Sequence, residues 1–213
     1  MSEILISENV QKYQDRFVPD RPAEMLTMEA YAKEHRFPII GPASGHFCYQ
    51  IARMIGAQRI FEMGSGYGYS TAWFAKAVRD NGGGVVHHVV WDNDLSSRAR
   101  KHLTNLGYND LIEYHVNEAI QELKATIGPF DLIFNDIDKE AYPESLPIIQ
   151  EKLRSGGVLI IDNMLWSGRI FDQRDQDSTT EGIRKFVKRV THDTDWIANL
   201  IPVRDGLVVA YKK

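Results

Sequence analysis

A regular alternation of short β-rich runs with helical patterns begins at residue 59. It restricts the fold, because strands joined by helices form βαβ units and a mainly parallel sheet with helices on both faces. The closing "WIANLIPVRDGLVVAYKK" differs, since two strand-like runs joined through "RDG" predict a hairpin that adds an antiparallel strand. We therefore expect an α/β fold. The β-rich runs are Arg59–Met63, Val85–Trp91, Ile112–Val116, Phe130–Phe134 and Val158–Ile161.

Length and composition indicate a globular protein with small-molecule ligands. The 213 residues are 43% hydrophobic and 25% charged, enough for one sizeable core, and we expect residues 1–213 to form a single domain. The net charge is -4 and there is no long basic run, which argues against nucleic acid as a partner. No apolar run is long enough for a bilayer and the N-terminus has no signal-like apolar segment, so we expect a cytoplasmic protein without membrane contact. Cys48 is the single cysteine, which excludes an internal disulfide and leaves no sign of a zinc cluster.

Glycines follow the first β-rich run in "RIFEMGSGYGYSTAW", at Gly64, Gly66 and Gly68. The first strand-to-helix turn of such a sheet is a usual site for nucleotide-like ligands, and glycine lets backbone N–H groups approach them. The alternative is a tight turn that binds nothing. The spacing is G-x-G-x-G, whereas the NAD pattern G-x-G-x-x-G requires glycine at Tyr69. Glu62 is an unusual residue for a buried strand end; its simpler role is to accept N–H bonds from the loop.

The second β-rich run ends in "WDND". Asp92 is placed to accept hydrogen bonds from ribose hydroxyls, as acids at the end of a second strand commonly do. Asp94 precedes the helical "LSSRARKHL" and is predicted to be the N-cap of that helix. His87 and His88 fall in mid-strand, and we interpret them as packed histidines with no chemical role.

Polar residues follow two later strands in "FNDIDKEAY" and "IIDNMLWSG". Parallel strands bring such residues to one edge of the sheet, the edge that also carries the glycine loop. Two carboxylates and an amide oxygen suit a hard divalent cation such as Mg²⁺. The alternative is a set of ordinary polar caps at strand ends. The residues concerned are Asp136, Asp138, Lys139, Asp162 and Asn163.

In order and spacing, "FEMGSGYGYST", "VVWDND", "FNDIDKEAY" and "IIDNMLWSG" resemble the cation-dependent O-methyltransferases of the catechol and caffeoyl-coenzyme A type. The likeness runs from about "FPIIGPASG" to the C-terminus and is loose over residues 1–35, where such families vary with substrate. It implies a Rossmann-like class I methyltransferase fold with a mainly parallel seven-stranded sheet and one antiparallel strand near the C-terminus. It also implies S-adenosylmethionine as cofactor, a divalent cation (Mg²⁺ first, Ca²⁺ or Mn²⁺ as alternatives) and a homodimer.

The resemblance assigns roles residue by residue. Lys139 would be the general base, although it could instead balance the charge of Asp136 and Asp138 or pair with Glu140 or Glu144. Trp166 would border the acceptor, or serve in ordinary packing. Asp136, Asp162 and Asn163 would bind the cation, and Asp136 would also lie at the cofactor. The other cofactor residues would be Ile40, Gly41, Glu62, Gly64, Ser65, Gly66, Ser70, Asp92, Glu118 and Ala119.

The acceptor itself has no signature in the sequence. Catechols, flavonoids, hydroxycinnamoyl thioesters and small phenolics all remain open, and the polar segment 167–182 is expected to cover the acceptor. A homodimer could use apolar residues of the first two helices, which could equally pack on their own sheet: Leu5, Val10, Met25, Leu26 and Met28. Two other functions stay open at this point, a nicotinamide-dependent oxidoreductase and a non-catalytic S-adenosylmethionine-binding protein.

Overall fold

Seven strands form one sheet within residues 8–213, the part of the chain that the computed structural model describes. The sheet has the order β3-β2-β1-β4-β5-β7-β6, in which β7 is antiparallel to both of its neighbours and the remaining pairs are parallel. This confirms the expected seven-stranded sheet with its C-terminal hairpin. The strands are β1 (Arg59–Met63), β2 (Val85–Val90), β3 (Ile112–Val116), β4 (Phe130–Asn135), β5 (Leu153–Ile161), β6 (Trp196–Ile201) and β7 (Leu207–Lys212).

The start of β5 differs most from the prediction. This strand begins at Leu153, because Leu153 already pairs with Phe130 before the register shifts and Val158 pairs with Leu132. Gly156, in the left-handed region with φ +74°, lies in the irregular part between these pairs. A glycine-containing interruption of this kind hides the strand from an analysis based on apolar runs.

Helices cover both faces of the sheet, as the alternation predicts. The residues of β1 alternate between the two cores: Ile60 faces α2, α3, α4 and α5, whereas Phe61 faces α6, α7 and α8. Short 3₁₀ helices follow α1 and precede β3 and α7, and another lies between β5 and α8. The α-helices are α1 (Glu8–Gln14), α2 (Ala23–His35), α3 (Gly41–Met54), α4 (Tyr69–Asp80), α5 (Asn93–Asn105), α6 (Ala119–Ala125), α7 (Tyr142–Lys152) and α8 (Ser178–His192).

Of the first two helices, α2 contributes to the core of its own chain. Met25 and Met28 are buried in that core, where α2 packs against α4 and α5, so these two residues pack within their own chain. Val10 and Leu26 keep 47% of their surface exposed, and Leu5 lies outside the described residues. In the described part of the chain, no helix combines the length and apolar character needed to cross a membrane.

Candidate active site

A cavity of about 620 Å³ opens at the carboxyl ends of β1, β2, β3, β4 and β5. Loops from five neighbouring strands therefore contribute to a single site, as expected for an open α/β sheet. Its lining includes Gly64, Gly66, Trp91, Asn117, Glu118, Ala119, Asp136, Ile137, Lys139, Asp162, Asn163, Trp166 and Thr179, together with Phe37, Pro38 and Ile39.

The glycine loop lies directly against the end of β4. Gly64 has φ +85°, and a Cβ added to it would be 2.3 Å from the backbone oxygen of Asp136, so a larger residue cannot occupy this position without moving the chain. Gly66, with φ +51°, lines the cavity next to the ring of Phe37. The loop is thus both a tight turn and a wall of the cavity.

Ser65 has a structural task in this loop. Its hydroxyl donates to the carbonyl of Glu62 at 3.2 Å and accepts from the amide of Val89 at 3.0 Å, so it joins the ends of β1 and β2. The side chain is buried, and the cavity is lined instead by the glycines on either side of it.

Glu62 is fully buried beneath the glycine loop. Thr71 donates its hydroxyl proton to Oε2 at 2.5 Å, and Oε1 has no hydrogen-bond partner among the described residues. Burial raises the pKa of Glu62 to about 7, although the nearby hydroxyl groups of Ser70, Thr71 and Ser65 favour the ionised form. Ser70 is therefore placed beside Glu62 and is buried, behind the residues that line the cavity.

Asp92, not Asp94, caps helix α5. Its Oδ1 accepts from the amide of Leu95 at 2.8 Å, whereas Asp94 lies within the first turn, so the predicted N-cap at Asp94 is wrong. The helix begins two residues earlier than the pattern suggested. Trp91 and Leu95 line the cavity on either side of Asp92.

Glu118 is likewise an N-cap. Its carboxylate accepts from the amides of Ile120 and Gln121, both at 2.9 Å, which begins α6, and Glu118 and Ala119 both line the cavity. In the segment before α3, the residues that line the cavity precede the predicted Ile40 and Gly41 in the sequence. Ile40 is buried and Gly41 begins the helix, while Phe37, Pro38 and Ile39 form the wall.

Asp136 and Asp162 follow residues that pair across β4 and β5, Asn135 with Ile161. Burial raises the pKa of both carboxyl groups, that of Asp162 to about 7, where the charge of Asp136 is the next cause. Neither is a helix cap: Asp162 accepts from the amide of Asn163 at 2.8 Å, and Asp136 pairs with Lys139. The arrangement does not fit ordinary polar caps.

Asn163 completes this group in a left-handed conformation, with φ +61°. Its Nδ2 donates to Oδ2 of Asp205 at 3.3 Å, which leaves the amide oxygen Oδ1 as its ligand atom. Two carboxylates, one buried and one partly buried, and an amide oxygen are the donor set that a hard divalent cation prefers. The residues therefore fit the cation that the sequence predicts.

Lys139 is buried beside Asp136 and lines the cavity. Its Nζ donates to Oδ1 of Asp136 at 2.7 Å and to the carbonyl of Ile137 at 3.0 Å. The sequence left several carboxylates as partners for Lys139, and the observed partner is Asp136. Glu140 instead accepts from the hydroxyl of Ser178. Gly182 of α8 allows close contact here, since a Cβ on it would be 2.2 Å from the carbonyl oxygen of Lys139.

Trp166 forms the wall opposite the glycine loop residues. Its Nε1 donates to Oγ1 of Thr179 at 3.1 Å, and its ring centroid is 5.9 Å from Nζ of Lys139. The ring also packs partly against the core, which is the packing role considered from the sequence. Segment 167–182 comprises a short helical turn, a loop and the start of α8, and Arg184 holds the loop by donating to the carbonyls of Asp172 and Asp175, both at 2.6 Å.

Several cavity residues were not identified from the sequence. Phe37, Ile39, Asn117, Ile137 and Thr179 have no distinctive pattern, because a cavity wall is set by loop geometry rather than residue type. Trp91 could have been found from the sequence, because it is a large aromatic residue at a strand end, next to Asp92. In the structure it is 78% exposed.

A family model described as O-methyltransferase matches residues 22–213. The chain is 27% identical over 183 residues to a catechol O-methyltransferase of Niastella koreensis, with 82% of each chain covered. It is 28% identical over 167 residues to catechol O-methyltransferase domain-containing protein 1 of Mus musculus, covering 76% of this chain and 63% of that protein.

Solved structures show the same architecture. An O-methyltransferase from Bacillus cereus in complex with SAH has a TM-score of 0.87 and 25% identity, with 100% of each chain covered. The O-methyltransferase TomG from Streptomyces achromogenes, in complex with SAM, has a TM-score of 0.86 and 25% identity, with 96% of each chain covered.

Proposed function

Because this chain belongs to the S-adenosylmethionine-dependent O-methyltransferase family, we propose that it methylates a hydroxyl of a catechol-like or other vicinal-diol phenol with the help of a divalent cation. The observation that carries the proposal is the adjacent pair of carboxylates, Asp162 buried and Asp136 partly buried, beside Asn163 in the cavity that the glycine loop lines. Membership of this family excludes the nicotinamide-dependent oxidoreductase that the sequence left open. No feature of the site favours a non-catalytic binding protein.

The cofactor would lie along the edges of β1, β2 and β3. Gly64 and Gly66 would border its methionine part, with Ser65, Ser70 and Glu62 behind them and the chain near Ile40 and Gly41 at its amino-acid end. Asp92 would hold the ribose, and Glu118 and Ala119 the adenine side. Trp91 offers an exposed aromatic face on the same wall.

Asp136, Asp162 and Asn163 would hold the divalent cation, Mg²⁺ in the first place and Ca²⁺ or Mn²⁺ as alternatives. When bound, it would supply positive charge that orients a vicinal diol and makes a hydroxyl easier to deprotonate. The carboxylates of Asp136 and Asp162 and the amide oxygen of Asn163 would fix the position of this positive charge. They would thereby fix the orientation of the diol toward the cofactor.

Lys139 would accept the hydroxyl proton at Nζ, which its contacts with Asp136 and the Ile137 carbonyl keep in position. The resulting phenolate oxygen would attack the sulfonium methyl carbon as the carbon–sulfur bond breaks, giving the methyl ether and S-adenosylhomocysteine. Because charge is neutralised in this step, positioning contributes most to the rate. Trp166 would pack against the aromatic ring of the acceptor.

The test is a methyl-transfer assay over a panel of catechols, matched mono-phenols and vicinal-diol flavonoids, with enzyme depleted of metal and then given Mg²⁺. The proposal expects turnover with vicinal diols that depends on added cation. Equal turnover of mono-phenols, or full activity in excess chelator, would contradict the diol and the cation, respectively.

A cytoplasmic homodimer is the remaining part of the proposal. Its support is the family resemblance and the exposed residues Val10 and Leu26 of the first two helices. Light scattering of the purified protein at micromolar concentration tests it, and a monomer mass would contradict it.

A further inference from the structure

A second group of potential metal ligands lies on the sheet, away from the residues used above. His87 of β2 pairs in register with Glu113 of β3, and His115 follows two residues later on β3. Residues two apart on a strand share a face, so all three side chains lie on the face covered by α6. We name them the β2–β3 cluster.

The three ligand atoms are spaced for one ion. Nδ1 of His87 is 3.2 Å from Nε2 of His115 and 3.3 Å from Oε2 of Glu113, and the last two atoms are 4.0 Å apart. Tetrahedral Zn²⁺, with bonds of about 2.0–2.1 Å, separates its ligand atoms by about 3.3 Å. Two of the three separations agree with this value, and the third needs only a small rotation of the exposed Glu113 side chain.

A carboxylate on α6 fixes the orientation of His115. Nδ1 of His115 is 2.9 Å from Oε1 of Glu122, whose other oxygen accepts from Asn117 at 3.0 Å. With the proton on Nδ1, the lone pair of Nε2 points into the cluster. A carboxylate behind a ligating histidine is the usual supporting arrangement of zinc sites.

His87 is buried at the bottom of the cluster. Its side chain is 4% exposed and packs against the rings of Phe61 and Phe130, and its Nε2 has no hydrogen-bond partner among the described residues. The sequence-based prediction that His87 and His88 are packed is correct. Nδ1, which faces His115 and Glu113, is therefore the nitrogen of this buried ring that can interact with other polar groups.

Exposure increases across the cluster toward the edge strand. His115 is 22% and Glu113 59% exposed, so an ion can enter from the solvent side and keep a water as its fourth ligand. Two imidazoles and one carboxylate favour Zn²⁺ over Mg²⁺ or Ca²⁺. The single cysteine argued only against a thiolate zinc cluster and leaves this type of site open.

From this geometry we propose that His87, Glu113 and His115 form a Zn²⁺ site that fastens edge strand β3 to β2. Both strands continue into the cofactor cavity, β2 through Val89, Val90 and Trp91 and β3 through Asn117 and Glu118. The ion therefore steadies the wall on which the adenosine side of the cofactor is proposed to lie. His87 then has a chemical role, contrary to the sequence-based interpretation.

The test is titration of the metal-free protein with Zn²⁺ by calorimetry, in an Asp162→Asn background that weakens the other cation site. Asparagine has the same shape and can still accept from the Asn163 amide, so this background should fold. We expect one Zn²⁺ per chain. His115→Gln should weaken binding by about 10²-fold or more, and Glu122→Gln by about 10- to 100-fold.

His102→Gln is the matched control, because His102 also pairs with a glutamate, Glu24, at 2.6 Å but on another surface. It should leave Zn²⁺ binding unchanged. Co²⁺ gives a second readout, since a tetrahedral site produces visible absorption that His115→Gln should abolish. Absence of stoichiometric Zn²⁺ binding, or equal affinity in the His115→Gln and control proteins, would overturn the proposal.

Discussion

Asp136 and Asp162 directly follow paired residues of two adjacent parallel strands, so their carboxyl groups, that of Asp162 buried and that of Asp136 partly buried, meet at the same edge of the sheet. Two such groups repel each other when ionised, which is why the pKa of Asp162 is raised to about 7 by burial and by Asp136. An arrangement that is costly by itself becomes favourable when a cation neutralises it.

Asp162→Asn should therefore lower kcat by at least about 10²-fold while leaving S-adenosylhomocysteine binding nearly unchanged. The reason is that Asp162 is proposed to position the acceptor rather than the cofactor. Calorimetry with S-adenosylhomocysteine and steady-state kinetics measure the two effects. A mutant that loses cofactor affinity as strongly as turnover would show that Asp162 belongs to the cofactor site.

Replacing Lys139 separates a base from a charge-balancing residue. Lys139→Met keeps most of the apolar stem that is buried here and removes Nζ, so it should reduce kcat by roughly 10²-fold or more with little effect on cofactor affinity. Lys76→Met removes an exposed lysine paired with Asp80 and serves as the control. Near wild-type turnover of Lys139→Met would leave Lys139 as a structural charge.

Asp92 has two tasks that different substitutions can separate. Asp92→Asn retains a good N-cap but loses the negative charge, so it should preserve the melting temperature and weaken S-adenosylhomocysteine binding. Asp92→Ala should lose about 1–3 kcal/mol of binding free energy and also about 1 kcal/mol of stability. Thermal melts and calorimetry of both variants are the measurement. Unchanged affinity in both would remove Asp92 from the cofactor site.

Glu62 should make the ligand-free protein less stable as the pH rises. Its folded pKa of about 7 exceeds the ordinary 4.5, so between these values the folded state holds more protons than the unfolded chain. Stability then falls as the pH rises from about 4.5 to 7, by at most about 3 kcal/mol. Asp162 contributes in the same direction when no cation is bound.

Glu62→Gln is neutral at every pH and should reduce this loss. Urea unfolding at pH 5 and pH 8, in chelator and without cofactor, compares it with wild type and with Glu151→Gln, a change at an exposed position. Equal losses of unfolding free energy in all three proteins would mean that Glu62 is not the group responsible.

Local sequence patterns predicted the sheet well because strand alternation and apolar runs are short-range signals. The bounds of β1 and β3 agree with the structure, and β5 was shortened because Gly156 interrupts its pattern. The prediction that residues 1–213 form one domain stays a prediction.

Tertiary relations were harder to predict. Strand order brings Asp136 to Asp162, which the sequence indicated through two similar strand ends, but the cavity walls at Phe37 and Thr179 depend on loop paths. The meeting of His87 with His115 depends on the register of β2 and β3 and on Glu122 of a later helix. The residues next to His87 in the sequence encode neither the register of the two strands nor the position of Glu122.

The absence of a side chain at Gly64 joins two functions mechanically. Because the glycine loop lies against the Asp136 carbonyl, the methyl donor and the acceptor would be held by two backbone segments in direct contact. A displacement of either partner would be passed on to the other, so donor–acceptor alignment would survive motions of the surrounding loops. Variation in the acceptor pocket could then change which phenol binds without changing the distance between the methyl carbon and the attacking oxygen.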